Sequence, residues 1–178
     1  MKLLKILLEQ EKILVPRRTK GRAKNYQIVI NKEIQQYIKD GSKGDLYLDD
    51  TPITSLPDNL KYVGGDLNLY KSKIKSLPDN LKVEEHLVLA NTPIEYLPDN
   101  LKVKGSLLLT RSAIKSLPDN FKVGRNLYLE NTSIEELPYN LEVGEDFWIR
   151  NSPLADKYSD EKIENLANIK GIIVRWNY

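Results

Sequence analysis

Residues 87–101 read LVLANTPIEYLPDNL, and close copies of this stretch recur along the chain. Each copy has two apolar residues separated by one position, then a Thr or Ser three residues later, then a further apolar residue. Five copies end in Leu-Pro, and the leucines of these pairs are Leu56, Leu77, Leu97, Leu117 and Leu137. The period is therefore 20 residues after a first interval of 21. Self-similarity at a fixed period of this length is typical of a solenoid.

The apolar triplet of each copy predicts a short strand, because alternation with period two points both outer residues to one side. Stacked copies should pair these strands in parallel and form one sheet along the inner face. Equivalent apolar residues then form core ladders, and one of them is Leu48, Leu69, Leu89, Leu109, Leu129 and Ile149. We expect a further core rung from Val63, Val83, Val103, Val123 and Val143. The Pro-Asp-Asn that follows most copies predicts a turn at the outer corner.

The segments on either side of the repeats lack this pattern, so we predict three parts. Residues 1–44 form an N-terminal helical cap, residues 45–154 form about six coils, and residues 155–178 form a C-terminal cap of a helix and a strand. The N-terminal cap is interpreted as a pair of helices, the first ending near Pro16 and the second running from about Arg18 to Lys39. The predicted fold class is an α/β solenoid.

The C-terminal cap carries its own boundary signals. Ser159 suits a helix N-cap, and we expect the helix to continue to about Ile169. A final strand within residues 172–176 should pair with residues 147–149 and end the sheet.

The string L-x-L-x-x-[TS]-x-I-x-x-L-P-D-N-L over residues 45–154 resembles the leucine-rich repeat. It is most similar to the short, 20-residue Leu-Pro class of secreted effectors of enteric bacteria and of bacterial and phage-encoded proteins. The resemblance implies a right-handed coil with a parallel sheet on its inner face, used as a recognition scaffold. Some of these effectors carry a ubiquitin-ligase domain that works through a cysteine. This chain has no cysteine and no such domain, so that activity is excluded.

The chain departs from the family pattern in two ways. The apolar residue before each strand comes one position earlier than usual. The usual Asn of the turn is replaced by Thr or Ser, at Thr51, Ser72, Thr92, Ser112, Thr132 and Ser152. We expect these hydroxyls to bond the backbone of neighbouring coils.

Composition narrows the classes of function. The absence of cysteine excludes disulfides and thiolate chemistry, and a single histidine, His86, excludes a multi-histidine metal site. His86 is interpreted as a surface polar residue, and turn chemistry accounts for the recurring Asp of Pro-Asp-Asn. We therefore expect a protein that is not an enzyme, with no cofactor and no metal.

The sequence also indicates where the protein acts. It contains no apolar run of the roughly 18 residues that span a membrane. Lys5, Glu9 and Glu11 interrupt the apolar start too early for a cleaved signal peptide. We expect no membrane association and a location in the cytoplasm of a bacterium or phage-infected cell, or in a virion.

The candidate protein-binding surface is the solvent side of the inner sheet, where we expect one residue of each strand to be exposed. These residues are Tyr47, Asn68, Val88, Leu108, Tyr128 and Trp148, joined by Tyr70 and Arg150 from the adjacent column. A contiguous apolar patch containing Tyr and Trp is typical of an interaction site. The alternative is that these residues are simply good strand formers.

Charge is distributed unevenly along the chain. Residues 1–44 carry a net charge of +7, and the remainder carries −5. The strongest basic cluster is Arg17, Arg18, Lys20, Arg22 and Lys24. It could contact nucleic-acid phosphates or an acidic protein, although it lacks interleaved aromatic residues and matches no DNA-binding motif. A solvated helix face is the alternative.

Three functions are consistent with these observations. The first is a protein-binding module for a partner of unknown identity. The second is a structural or assembly component, for example of a phage particle, or a self-associating subunit. The third is nucleic-acid association through the basic N-terminal cap.

Overall fold

The computed structural model describes residues 12–14 and 23–175, and the side chains of residues 28–175. Two sheets of short parallel strands run along this part of the molecule. The predicted parallel β-solenoid is therefore confirmed.

The first sheet has eight strands, and neighbouring strands come from successive coils. In spatial order they are β1 (Lys12–Leu14), β2 (Asp45–Tyr47), β4 (Leu67–Asn68), β6 (Leu87–Val88), β8 (Leu107–Leu108), β10 (Leu127–Tyr128), β12 (Phe147–Trp148) and β14 (Ile173–Val174). Equivalent residues pair across the coils; Leu87, for example, is opposite both Leu67 and Leu107. The six strands β2, β4, β6, β8, β10 and β12 are those that the apolar triplets predict.

A second sheet of six strands was not predicted. Its strands are β3 (Tyr62–Val63), β5 (Lys82–Val83), β7 (Lys102–Val103), β9 (Lys122–Val123), β11 (Leu141–Val143) and β13 (Ala167–Ile169). The valines that we expected to be core rungs are indeed buried, but they also belong to this sheet. The alternation that marks a strand is present, since Leu81 and Val83 are buried and Lys82 between them is half-buried.

The side chains between the two sheets form one continuous hydrophobic core. Each coil contributes the two outer residues of its triplet, the apolar residue after Thr or Ser, and the valine of the second sheet. Burying aliphatic side chains of this kind stabilises a fold by roughly 1.5–3 kcal/mol each. The turn after Leu-Pro is also as predicted, because the backbone N–H of Leu60 donates to the carbonyl of Pro57 at 2.9 Å.

The N-terminal cap contains one described helix, α1 (Ala23–Lys39), and the predicted start of this helix near Arg18 lies outside the described residues. Ile30, Ile34 and Tyr37 on its inner face are buried in the core. Gly41, at a φ of +89°, follows the end of the helix in the left-handed conformation that glycine favours. The predicted pair of helices is wrong around Ile13, because β1 is a strand that pairs with β2. The rest of the first predicted helix lies outside the described residues.

The C-terminal cap contains α2 (Pro153–Lys157) and α3 (Asp160–Leu166). Ser159 is the N-cap of α3, and its side chain accepts a hydrogen bond from the backbone N–H of Lys162 at 3.2 Å. The helix ends before the predicted Ile169 because β13 pairs with β11. The final strand β14 pairs with β12, as predicted. Among residues 12–14 and 23–175, no helix has the length and apolarity needed to cross a membrane.

Candidate binding surface on the inner sheet

The predicted surface column occupies one equivalent position in every coil of the first sheet. Its members are Tyr47, Asn68, Val88, Leu108, Tyr128 and Trp148, and the strand register places each opposite the next. All six are half-buried, whereas we expected them to be exposed. The reason is that parallel strands lie only about 4.8 Å apart, so neighbouring side chains of the column cover each other's flanks.

The column changes character along the solenoid. At its N-terminal end Tyr47 donates a hydrogen bond to Asp45 Oδ2 at 3.0 Å, and Asn68 Oδ1 accepts one from the backbone N–H of Tyr70 at 3.0 Å. Its last four members are Val88, Leu108, Tyr128 and Trp148, which form an apolar strip. Tyr70 is exposed and lies four coils away from Trp148, so the predicted surface is not one compact site.

The strip ends in an aromatic pair. The ring centroids of Tyr128 and Trp148 are 5.6 Å apart, and the rings are inclined by 24°, so they stack. The guanidinium of Arg150 lies 5.5 Å from the centre of the Trp148 ring, within the range of a cation–π interaction. Burial, followed by the nearby carboxylates of Asp146 and Glu130, raises the pKa of Tyr128. Tyr128 therefore stays a neutral hydrogen-bonding phenol at physiological pH.

The ion pair between Arg150 and Glu130 holds the guanidinium next to the aromatic pair. Arg150 Nε donates to Glu130 Oε1 at 2.6 Å, and Glu130 is only 8% exposed. Thr110 Oγ1 lies 3.5 Å from the other carboxylate oxygen of Glu130. These contacts fix the guanidinium over the indole. The indole Nε1 of Trp148 is buried and has no hydrogen-bond partner among the described residues.

A ladder of polar side chains lies beside the apolar strip, and it was not among our predictions. At the position before each strand, a side chain accepts a hydrogen bond from the backbone N–H of the next coil. The donor–acceptor distances are 2.9 Å for Asp66 to Asp45, 2.9 Å for His86 to Asp66, 2.9 Å for Ser106 to His86, 3.3 Å for Asn126 to Ser106 and 2.8 Å for Asp146 to Asn126. The sequence does contain a signal for this ladder, because every copy of the repeat has a side chain with a hydrogen-bond acceptor at this position. His86 is thus part of the framework that holds the coils in register.

The Thr and Ser residues of the turn bond differently from our prediction. The hydroxyls of Thr51, Thr92, Thr132 and Ser152 each donate to a backbone carbonyl three residues earlier in the same coil, at 2.6 Å. They do not bond neighbouring coils, because a left-handed residue just before each of them turns the chain back over its own strand. The hydroxyls of Ser72 and Ser112 are buried without a partner among the described residues.

Most of the basic cluster at the N-terminus, namely Arg17, Arg18, Lys20 and Arg22, lies outside the described residues. Lys24 lies within α1, and its side chain is not described. In the described part of the chain, no group of three or more His, Asp or Glu residues could hold a metal ion.

No family model matches the sequence, and no curated protein matches it significantly. Among solved structures, the leucine-rich-repeat domain of a Shigella effector is similar to this chain at 20% sequence identity. The match covers 98% of this chain and 84% of that chain, with a TM-score of 0.48. A likeness at this level carries no argument about function, so the fold assignment depends on the coils themselves. Their 20-residue period, stacked leucine ladders and parallel inner sheet are the architecture of a leucine-rich-repeat solenoid.

Proposed function

We propose that this protein is a non-enzymatic binding module, and that it docks a protein partner on the strip Val88, Leu108, Tyr128 and Trp148. The observation that carries the proposal is the stacked Tyr128–Trp148 pair, which is held in place by Arg150. Tyr, Trp and Arg are the residue types that contribute most to binding energy at protein interfaces.

The rigidity of the strip supports binding. The strip lies on four adjacent strands whose backbone groups are hydrogen-bonded on both sides, for example Leu107 to Asn126 and Leu109 to Tyr128. Side chains that are already half-buried in fixed positions lose little conformational entropy when a partner covers them. Because little conformational entropy is lost on binding, most of the free energy gained from apolar contact with a partner should contribute to affinity.

A binding role also agrees with the roles of the polar residues near the strip. Asp66, His86, Ser106 and Asn126 are used in the ladder between coils, and Glu130 is used by Arg150. Each has a structural hydrogen-bonding task. We infer that specificity comes from the shape of the strip and from the aromatic pair.

The experiment is affinity capture from a lysate of the source cell, with identification by mass spectrometry. The wild-type chain is compared with the double variant Tyr128→Ala, Trp148→Ala and with a control double variant, Tyr96→Ala, Tyr139→Ala. Tyr96 and Tyr139 are 57% and 71% exposed and lie away from the strip, so the control removes two aromatic rings elsewhere. We expect a partner that wild type and control retain and that the first variant loses.

Two further measurements and one further variant complete this test. Thermal unfolding shows whether the first variant is still folded. The variant Val88→Lys places a charge on the strip without removing the aromatic pair. Light scattering of the purified chain detects self-association. A partner retained by all variants, or a strip occupied by a second copy of the chain, would contradict the proposal.

A further inference from the structure

A groove of about 710 Å³ lies on the second sheet, away from the aromatic strip. The strands β7, β9, β11 and β13 contribute its lining. Its position on the other sheet means that a ligand in the groove and a partner on the strip do not compete for the same residues.

Two glycines line the middle of this groove. Just after the strands β9 and β11, successive coils carry Gly124 and Gly144, whereas the coils on either side carry Lys104 and Lys170 at the equivalent position. A Cβ atom added to Gly124 would lie 1.9 Å from the carbonyl oxygen of Lys104, so glycine is needed here for the close approach of the two coils.

The groove is lined by positive charge. The residues that line it include four lysines and only two acidic residues. The lysines are Lys102, Lys104, Lys122 and Lys170, and the acidic residues are Asp99 and Glu142. Lys122 pairs with Glu142 at 2.6 Å, and Lys104 pairs with Glu84 at 2.5 Å. Lys102 and Lys170 are exposed, and neither makes an ion pair with any residue in the described part of the chain. Two ammonium groups are therefore available to a ligand.

We propose that this groove binds an extended acidic segment of a partner protein, with carboxylates of the segment on Lys102 and Lys170. Lys102 and Lys170 are separated by three steps between adjacent coils and by two residues along the strand direction, roughly 16 Å in all. An extended peptide covers that distance with about five residues, since each advances by about 3.3 Å. A short segment is thus long enough to contact both lysines.

The acidic groups at the groove favour a peptide over a nucleic acid. A phosphate backbone carries a charge on every nucleotide, and Asp99 and Glu142 would repel part of it. An acidic peptide places neutral residues between its carboxylates and can pass these two positions without repulsion. Residues such as Val123 and Val143 also line the groove and offer apolar contact to the neutral residues.

The test is fluorescence anisotropy with a labelled decapeptide of alternating glutamate and valine. A lysine–valine peptide and a ten-nucleotide oligothymidine serve as comparison probes. The double variant Lys102→Gln, Lys170→Gln removes the two available ammonium groups. Its matched control is Lys73→Gln, Lys75→Gln, which removes the same charge from exposed lysines outside the groove.

We expect the acidic peptide to bind wild type and control equally, and the groove variant about tenfold more weakly, as suits the loss of two exposed ion pairs. The variant Tyr128→Ala, Trp148→Ala should bind the peptide like wild type, which separates this proposal from that for the inner sheet. Absence of acidic-peptide binding, an equal loss in groove variant and control, or tighter binding of oligothymidine would each overturn the proposal.

Discussion

The Nδ1 atom of His86 accepts a hydrogen bond from the backbone N–H of Ser106 at 2.9 Å. Only a nitrogen without a proton can accept, so the neutral imidazole carries its proton on Nε2. The backbone N–H of His86 in turn donates to Asp66 Oδ1. The only histidine of the chain therefore connects three successive coils.

This contact predicts different effects for two substitutions of His86. Ser106 is only 5% exposed, so in His86→Leu its N–H has no acceptor and little access to water. We expect His86→Leu to lower the free energy of unfolding by about 1–3 kcal/mol. His86→Asn should cost much less, because Asn126 already serves as an acceptor in this column. Urea unfolding measures the free energy of unfolding of both variants. Equal losses would show that the hydrogen bonds of the ladder do not contribute to stability.

The buried phenol of Tyr37 predicts a loss of stability at high pH. Its hydroxyl lies 2.9 Å from the carbonyl oxygens of both Ser42 and Gly44, which share its one proton, and burial raises the pKa of Tyr37 to about 12. In the unfolded chain the pKa of tyrosine is about 10. Between these values the unfolded chain ionises and the folded protein does not, so the stabilisation by Tyr37 is complete below pH 10 and decreases as the pH rises.

Tyr37→Phe provides the reference, because phenylalanine cannot ionise. At pH 7 we expect Tyr37→Phe to be less stable than wild type by about 1–3 kcal/mol, through loss of the buried hydrogen bonds. The difference between the two proteins should shrink from pH 10 to pH 12, by at most about 1.4 kcal/mol per pH unit. Denaturant unfolding at several pH values measures this difference, and a constant difference over that range would contradict the assignment.

The left-handed residue before each Thr or Ser predicts a stabilising substitution. In six coils this residue has φ between 50° and 57°, and it is Asp50, Lys71, Asn91, Arg111, Asn131 and Asn151. Asn tolerates this conformation better than a long side chain does. Arg111 is exposed and makes no ion pair with the described residues, so Arg111→Asn should raise the free energy of unfolding by about 0.5–1 kcal/mol.

The reverse substitution, Asn131→Arg, is the matched control for Arg111→Asn. It should lower the free energy of unfolding by a similar amount, since Asn131 has a φ of 55°. Thermal unfolding of both variants measures the two effects. Changes of the same sign in both variants would show that the positive φ does not determine the preference for Asn over Arg at these positions.

Two arginine–glutamate pairs, each linking adjacent coils, should differ in strength. Glu130 is almost completely buried, so Arg150→Met leaves a carboxylate there without its partner, and we expect a loss of about 3 kcal/mol. The pair between Arg125 and Glu145 is exposed, with half of the arginine side chain accessible, so Arg125→Met should cost less than about 1 kcal/mol. Chemical denaturation of the two variants compares these losses, and similar values would place Glu130 in a more solvated environment than the structure indicates.

The solenoid could be predicted from the sequence because its signal is repeated. One apolar triplet is ambiguous, but five or six copies at one spacing leave little freedom for Leu87 and Leu107 except to face each other. The second sheet was harder to predict, since most of its strands hold only two residues, such as Lys82 and Val83, and the alternation appears only when Leu81 before the strand is included. The strand β1 was missed because Ile13 belongs to no repeat and pairs only through tertiary contact with Leu46.

The candidate surface was predictable in position but not in detail. Strand alternation placed Tyr128 and Trp148 in one column, and the structure adds their stacking and the arginine over the indole. The ion pair between Glu130 and Arg150 joins residues 20 apart, which the period could have suggested. The groove could not be predicted, because its lining comes from several coils and takes shape only when they are stacked.

The polar ladder has a consequence for how such a chain can change length. Every rung is an acceptor that takes a backbone N–H from the same position of the next coil, whatever the identity of the side chain. If residues 106–125 were excised, Asn126 would follow Gly105, and its N–H would meet His86 in place of that of Ser106. For this ladder whole coils are therefore interchangeable units, and genes for such proteins can gain or lose 60-nucleotide blocks while the hydrogen bonds of the ladder are kept.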